Sequence, residues 1–212
     1  DSWNGVRWVE MSASDADRTV TRLLISSGWP VWLRIDDVQP RTIEHLADAA
    51  DYYLHEPAVH THLEPVRGLL STTLQRKSVA TGPTLWDLER ERFDRHVWIG
   101  QDGGVSLSAR WAARSGTYGR IAEGTGRVDL DRFMDSDSWC AARDFVPSLF
   151  RSGARCAFCP AFDLCEGFVA SFGPGTNCDR WVEFFASIRA DAVKLHEARR
   201  SLGLAESKRW RQ

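Results

Sequence analysis

No stretch of this sequence is apolar over the roughly 18 residues that a membrane-spanning helix requires, and no basic start leads into an apolar signal core. The expectation is a cytoplasmic protein with no membrane partner. Neither sign of charge is in excess: 27 Lys and Arg stand against 29 Asp and Glu, for a net charge of -2. Global electrostatics therefore gives no ground for a nucleic-acid partner. Cysteine is missing from the first 139 positions, and five in 212 residues is both odd in number and too sparse for the disulfide framework of a secreted domain. Also missing are a G-x-S-x-G elbow, a Walker loop and a dinucleotide fingerprint, which leaves no recognisable hydrolase, nucleotide or nicotinamide site. Disorder is excluded by a content that is 43% hydrophobic, with ten Trp and ten Phe.

What is present reads as α/β, with a boundary near residue 83. In the segment 1–83, a short β-rich run from Val6 to Met11 precedes Ser12 and Ser14, candidate N-caps. A helix follows with Val20, Leu23 and Leu24 at apolar positions. Gly28 ends it before a strand from Trp29 to Ile35. Pro40 and Thr42 open a second helix with Ile43, Leu46, Ala47 and Ala50 on one face, and a third strand is expected between Ala58 and Leu63. Successive βα units imply a parallel sheet or an arc of a barrel. The stretch from Ser71 to Pro83 turns polar and reads as a connecting loop.

The segment 84–212 reads differently. A short helix from Leu85 to Arg92 is followed by two β-type runs, His96 to Gly100 and Val105 to Trp111, around Gln101-Asp102-Gly103-Gly104, a hairpin signal because tight turns need positive φ. Another strand is expected from Tyr118 to Ile121, then a helix from Trp139. A last helix should run from Asp179 beyond His196, with Trp181, Phe185, Ile188, Ala192 and Leu195 in one stripe and Arg199 and Arg200 at its C-terminal end. The basic tail Lys208 to Arg211 reads as a solvated end.

All five cysteines fall within 39 residues, and four of them form the series Cys156-x2-Cys159-x5-Cys165-x12-Cys178. A C-x2-C pair lets two sulfurs converge on one centre, and Gly167, Gly173, Pro174 and Gly175 let the chain turn back to deliver the last. Four thiolates suit tetrahedral zinc or a [4Fe–4S] cluster. A zinc ribbon usually has two C-x2-C knuckles, and the single knuckle here tilts the reading towards iron–sulfur. The plain alternative is a set of unrelated thiols buried as small apolar groups.

From His96 to Phe185 the sequence resembles the SPASM/twitch-type C-terminal domain of radical SAM enzymes, which holds auxiliary [4Fe–4S] clusters. Three parts carry the likeness: the hairpin Asp102-Gly103-Gly104-Val105-Ser106-Leu107-Ser108, the strand end Gly119-Arg120-Ile121-Ala122-Glu123-Gly124, and the cysteine run that opens with Cys156-Ala157-Phe158-Cys159-Pro160. The chain departs from the family at two ligand positions, where Ser108 and Val169 stand in place of cysteine. The resemblance implies that the inner auxiliary cluster is lost and the outer one kept, held by Cys156, Cys159, Cys165 and Cys178. Cys140 matches no ligand position and reads as a structural thiol. The βαβα order of the first segment is similar to part of a radical SAM partial barrel. No C-x3-C-x2-C motif occurs, so these residues cannot assemble a cluster with an open iron for S-adenosylmethionine.

The resemblance implies an accessory iron–sulfur protein acting with a radical SAM-type partner in peptide or protein modification, by electron relay or substrate docking. The alternatives are a structural zinc module for protein interaction and the C-terminal part of a longer radical SAM enzyme, to which a first residue other than methionine is relevant. No residue is assigned a catalytic role. Three further features invite a functional reading. His55, His60 and His62 with Glu56 and Glu64 suggest a second metal site, weighed against ordinary surface histidines. Asp36 and Asp37 stand where α/β proteins place ligands, weighed against helix capping. Trp29, Trp32, Trp98, Trp111 and Trp139 suggest a binding surface, weighed against core.

Overall fold

The computed structural model describes residues 7–75, 83–93, 95–121, 133–173 and 176–201. Val6, residues 76–82 of the polar stretch, Ala122-Glu123-Gly124, Pro174, Gly175 and the basic tail lie outside the described residues. The fold is mixed α/β, with helices predominating.

Strand β1 (Val9–Ser12) is followed by α1 (Arg18–Ser26), β2 (Val31–Arg34), α2 (Pro40–His55), β3 (Leu63–Glu64) and α3 (Val66–Gln75). The three strands form a parallel sheet in the order β1-β2-β3, with Val9 opposite Val31 and Val31 opposite Leu63. The centre of this sheet is dry: Val31, Leu33 and Leu63 are fully buried.

Several local expectations change. The N-cap of α1 is Asp17, whose carboxylate accepts from the Thr19 and Val20 amides, while Ser12 and Ser14 bond to each other instead. The buried face of α1 is Thr21 and Ile25, and Val20 and Leu23 are exposed. Thr21 lies inside because its hydroxyl meets Nε2 of the buried His45 at 3.0 Å, whose Nδ1 donates to the Ala13 carbonyl at 3.2 Å. Burial lowers the pKa of this histidine. On α2, Pro40 stands at the first turn as expected, and Ile43, Leu46 and Ala50 are buried. Ala47 is exposed, and His45 and Ala49 take its place. The third strand begins only at Leu63, and the expected loop from Ser71 is, through Gln75, the end of α3.

In the second segment, α4 (Leu85–Leu88) carries a capping box between Thr84 and Asp87. Strands β4 (Trp98–Ile99) and β5 (Gly104–Ser106) form the expected antiparallel hairpin, with Gly103 at φ +76° and the Asp102 carboxylate accepting from the Gly104 amide at 3.0 Å. The second strand is shorter than its sequence suggests. Ser108 caps a helix, α5 (Ala109–Ser115), by accepting from the Trp111 amide at 3.3 Å. Strand β6 (Gly119–Arg120) then pairs antiparallel to β5.

Helix α6 (Asp137–Arg151) leads into the cysteine segment, which contains α7 (Phe162–Cys165), and α8 (Asp179–Ser201) closes the described chain. Of the expected α8 stripe, Trp181, Phe185, Ile188 and Ala192 are buried, Phe184 joins them, and Leu195 is 36% exposed. That stripe packs α8 against α2 and α3. A single apolar cluster therefore runs from the parallel sheet to the cysteine segment. Trp86 is its aromatic hub, with ring centroids of Trp111, Phe145 and Phe168 at 6.2, 6.0 and 5.1 Å. Among the five tryptophans considered for a binding surface, Trp32 and Trp111 are core, Trp98 and Trp139 are half-buried and Trp29 is exposed. No described helix is long and apolar enough to cross a membrane.

Candidate metal centre

The cysteine segment is built from short turns that a regular helix could not provide. Gly153 at φ +65° reverses the chain after α6. A single 3-10 turn from Arg155 to Phe158 then carries Cys156. The Cys159 amide donates to the Cys156 carbonyl at 3.2 Å, closing the C-x2-C pair, and the Phe162 amide donates to the Cys159 carbonyl at 3.1 Å to start α7. Cys165 ends α7. The two residues after it, Glu166 at φ 46° and Gly167 at φ +79°, are left-handed and turn the chain back over its own thiol. The Val169 amide then donates to Cys165 Sγ at 3.5 Å. Cys178 directly precedes α8 and accepts its first-turn bond, from the Val182 amide to the Cys178 carbonyl at 2.9 Å.

Left-handed backbone at a glutamate costs about 1–3 kcal/mol unless its surroundings hold it. Here they do. The Glu166 carbonyl accepts from Trp86 Nε1 at 3.0 Å, and its carboxylate accepts from Thr84 Oγ1 and from the Arg92 guanidinium, both at 3.2 Å. On the other side Arg189 of α8 donates to the Pro160 carbonyl at 2.7 Å and pairs with Asp163. Arg110 and Arg114 donate to the hydroxyl and carbonyl of the buried Ser171. An exposed pair of Arg155 with Asp179, at 2.6 Å, links the residue before Cys156 to the residue after Cys178.

These clamps bring Cys156, Cys159, Cys165 and Cys178 to the wall of one cavity of about 410 Å³. The wall is otherwise mainly apolar, with Trp181 and Phe185 beneath and Phe158, 86% exposed, at the rim. Cys165 is the most deeply placed: burial pushes its thiol up to about 12, against the pull of the Val169 amide. Burial raises Cys156 and Cys178 as well, and the neighbouring cysteines add to both shifts. A cation is what would hold several of these thiols as thiolates at once. Among the described residues no disulfide is formed, and no three His, Cys, Asp or Glu are grouped tightly enough to hold a single metal ion.

Comparison with family models, with curated proteins and with solved structures found no match. The site therefore stands on its own geometry.

The other candidates are placed apart from this cavity. Cys140 lies half-buried on α6, its thiol donating to the Met134 carbonyl at 3.8 Å. His55 pairs with Asp51, and His60 and His62 precede β3 instead of sharing a strand face. Glu64 accepts from the Gly68 amide. Asp36 pairs with Arg34, and Asp37 lies just before α2, whose N-cap is Gln39, and accepts from the Gln39 amide and the Thr42 hydroxyl. A second cavity of about 590 Å³ lies at that end of the sheet, between Asp37, Ile43, Phe172 and Arg180.

Sequence reasoning did not assign Val169, Glu166, Arg189 or Trp181 to the site. For Trp181 a signal existed: it stands on the first turn of the helix expected directly after Cys178, three residues on from that thiol. Arg189 and Glu166 carried none, because their partners are remote in sequence.

Proposed function

We propose that this protein holds one [4Fe–4S] cluster through Cys156, Cys159, Cys165 and Cys178, and serves as a SPASM-like accessory unit to a radical SAM-type catalytic partner in modifying a peptide or protein. The observation that carries the reading is that four cysteines, spread from residue 156 to residue 178, all line one cavity. A zinc ion bound at about 2.3 Å by each thiolate needs its four sulfurs within about 3.8 Å of one another. A cubane spreads its ligands around a larger body, and the cavity of about 410 Å³ has room for one. The Val169 amide on Cys165 is the kind of bond that orients a ligand and tunes such a centre.

The accessory role rests on the hairpin at Asp102-Gly103 together with the cysteine spacing. When bound, the cluster supplies one-electron chemistry. The chain's own residues hold it, keep water from its inner side with Trp181 and Phe185, and leave Phe158 facing outward beside it. An electron relay or a docking platform both use that outward face.

The test is iron, zinc and acid-labile sulfide analysis with an absorption spectrum, on protein purified without oxygen. About four iron and four sulfide per chain, with broad absorption that bleaches on reduction, is the expected result. About one zinc with no visible absorption would overturn it in favour of a structural zinc module.

A further inference from the structure

Trp181 is 1% exposed, and its indole N–H has no hydrogen-bond partner. Buried donors are seldom left this way, because an unpaired one forfeits its bond to water without replacement. The same side chain lines the cavity that the four cysteines share. It stands on the first turn of α8, three residues after Cys178, which directly precedes the helix and lines the same cavity. Its other ring contacts, to Phe184 and Phe185 at 6.1 Å each, are apolar and offer the N–H nothing. The neighbouring Cys178 thiol is directed at the Thr176 carbonyl, at 3.7 Å, and so has lone pairs to spare.

We propose that the Trp181 indole N–H donates a hydrogen bond to a sulfur of the bound group, either the Cys178 thiolate or an inorganic sulfide, and thereby sets its reduction potential. This rests on the cluster reading above. The physical reason is charge: adding an electron makes the sulfurs more negative, a donor aimed at one of them stabilises the reduced form more than the oxidised form, and the potential rises. Trp181 is a positioning and tuning residue. No bond to metal is assigned to it.

The experiment compares the parent with Trp181→Phe, which keeps an aromatic ring and removes the donor, and with Phe185→Leu, which disturbs the same wall without touching a donor. Full-length proteins are loaded with iron and sulfide without oxygen, and metal content is measured before a redox titration followed by electron paramagnetic resonance. The expected result is a lower midpoint potential for Trp181→Phe at equal cluster content, with Phe185→Leu unchanged. Parent protein labelled with ¹⁵N-tryptophan provides a second reading that needs no variant. Its reduced cluster should show hyperfine coupling to one indole nitrogen and to an exchangeable proton in addition to that of the Val169 amide on Cys165. Equal potentials in parent and Trp181→Phe, or no such coupling in the parent, would overturn this inference and leave the cluster standing. A parent that takes up no iron and sulfide would overturn both.

Discussion

Each of the four cysteines makes a separate demand that the fifth does not. Replacing Cys156, Cys159, Cys165 or Cys178 with Ala is expected to lower iron and sulfide content sharply. Cys140→Ala, whose thiol lies on α6 away from the cavity, should retain the parent's content. Equal metal in Cys165→Ala and the parent would sink the four-ligand assignment. A different residue contributes to pH dependence. Glu89 is buried beside the sheet, accepts from the Ile35 amide at 3.0 Å and leaves its second oxygen unpaired, and burial pushes its carboxyl up to about 8. The folded protein thus keeps a proton that the unfolded chain loses near 4.5. The sign follows from linkage: this group's contribution is most favourable below that value and declines as pH rises towards about 8. Glu89→Gln retains an acceptor for Ile35 and removes the charge. It is expected to stabilise by on the order of 1–3 kcal/mol at pH 8 and by little at pH 5. Urea midpoints at the two pH values check this, and equal differences at both would refute it.

At the level of elements, two turns decide whether the cysteine segment can close. Gly167 combines φ +79° with a close approach to Leu149 of α6, which an added methyl group would strike. Gly167→Ala is therefore expected to cost about 1–3 kcal/mol and to weaken cluster retention, because the turn it strains is the one that sets Cys165. Ser108 behaves in the opposite way. It occupies a position where the SPASM resemblance would place a ligand, yet its side chain caps α5. Ser108→Ala should cost about 1 kcal/mol in thermal or urea unfolding and leave metal content untouched. A fall in metal content in that variant would instead return Ser108 to the ligand set. The α1 helix shows what periodicity alone misjudges. Val20, Leu23 and Leu24 give it an apolar stripe in sequence, but Thr21 and Ile25 face inward, because His45 on α2 supplies the hydroxyl with a buried partner. The α2 start at Pro40 and the hairpin at Gly103 were legible, since ring geometry and positive φ are properties of the residues themselves.

Over the whole molecule, α8 joins what composition separates near residue 83. Its buried face packs on α2 and α3, while Trp181 on its first turn and Cys178 just before it line the cavity. Because one core cluster spans both parts, the protein without bound metal is expected to unfold in a single cooperative transition, with circular dichroism and tryptophan fluorescence giving coincident curves. Two resolved transitions would show the parts to be independent. The sequence by itself determined the chemistry available: four thiols at C-x2-C-x5-C-x12-C, a hairpin, alternating βα units and no open-iron motif. Spacing and turn residues act over a few positions, so they can be read along the chain. Only the tertiary structure decided that the four thiols share one cavity, that Glu166 is held left-handed by Trp86 and Arg92 from more than seventy residues away, and that the indole of Trp181 is left without a partner. Burial and pairing of that kind depend on which distant surfaces meet, and local periodicity carries no record of it.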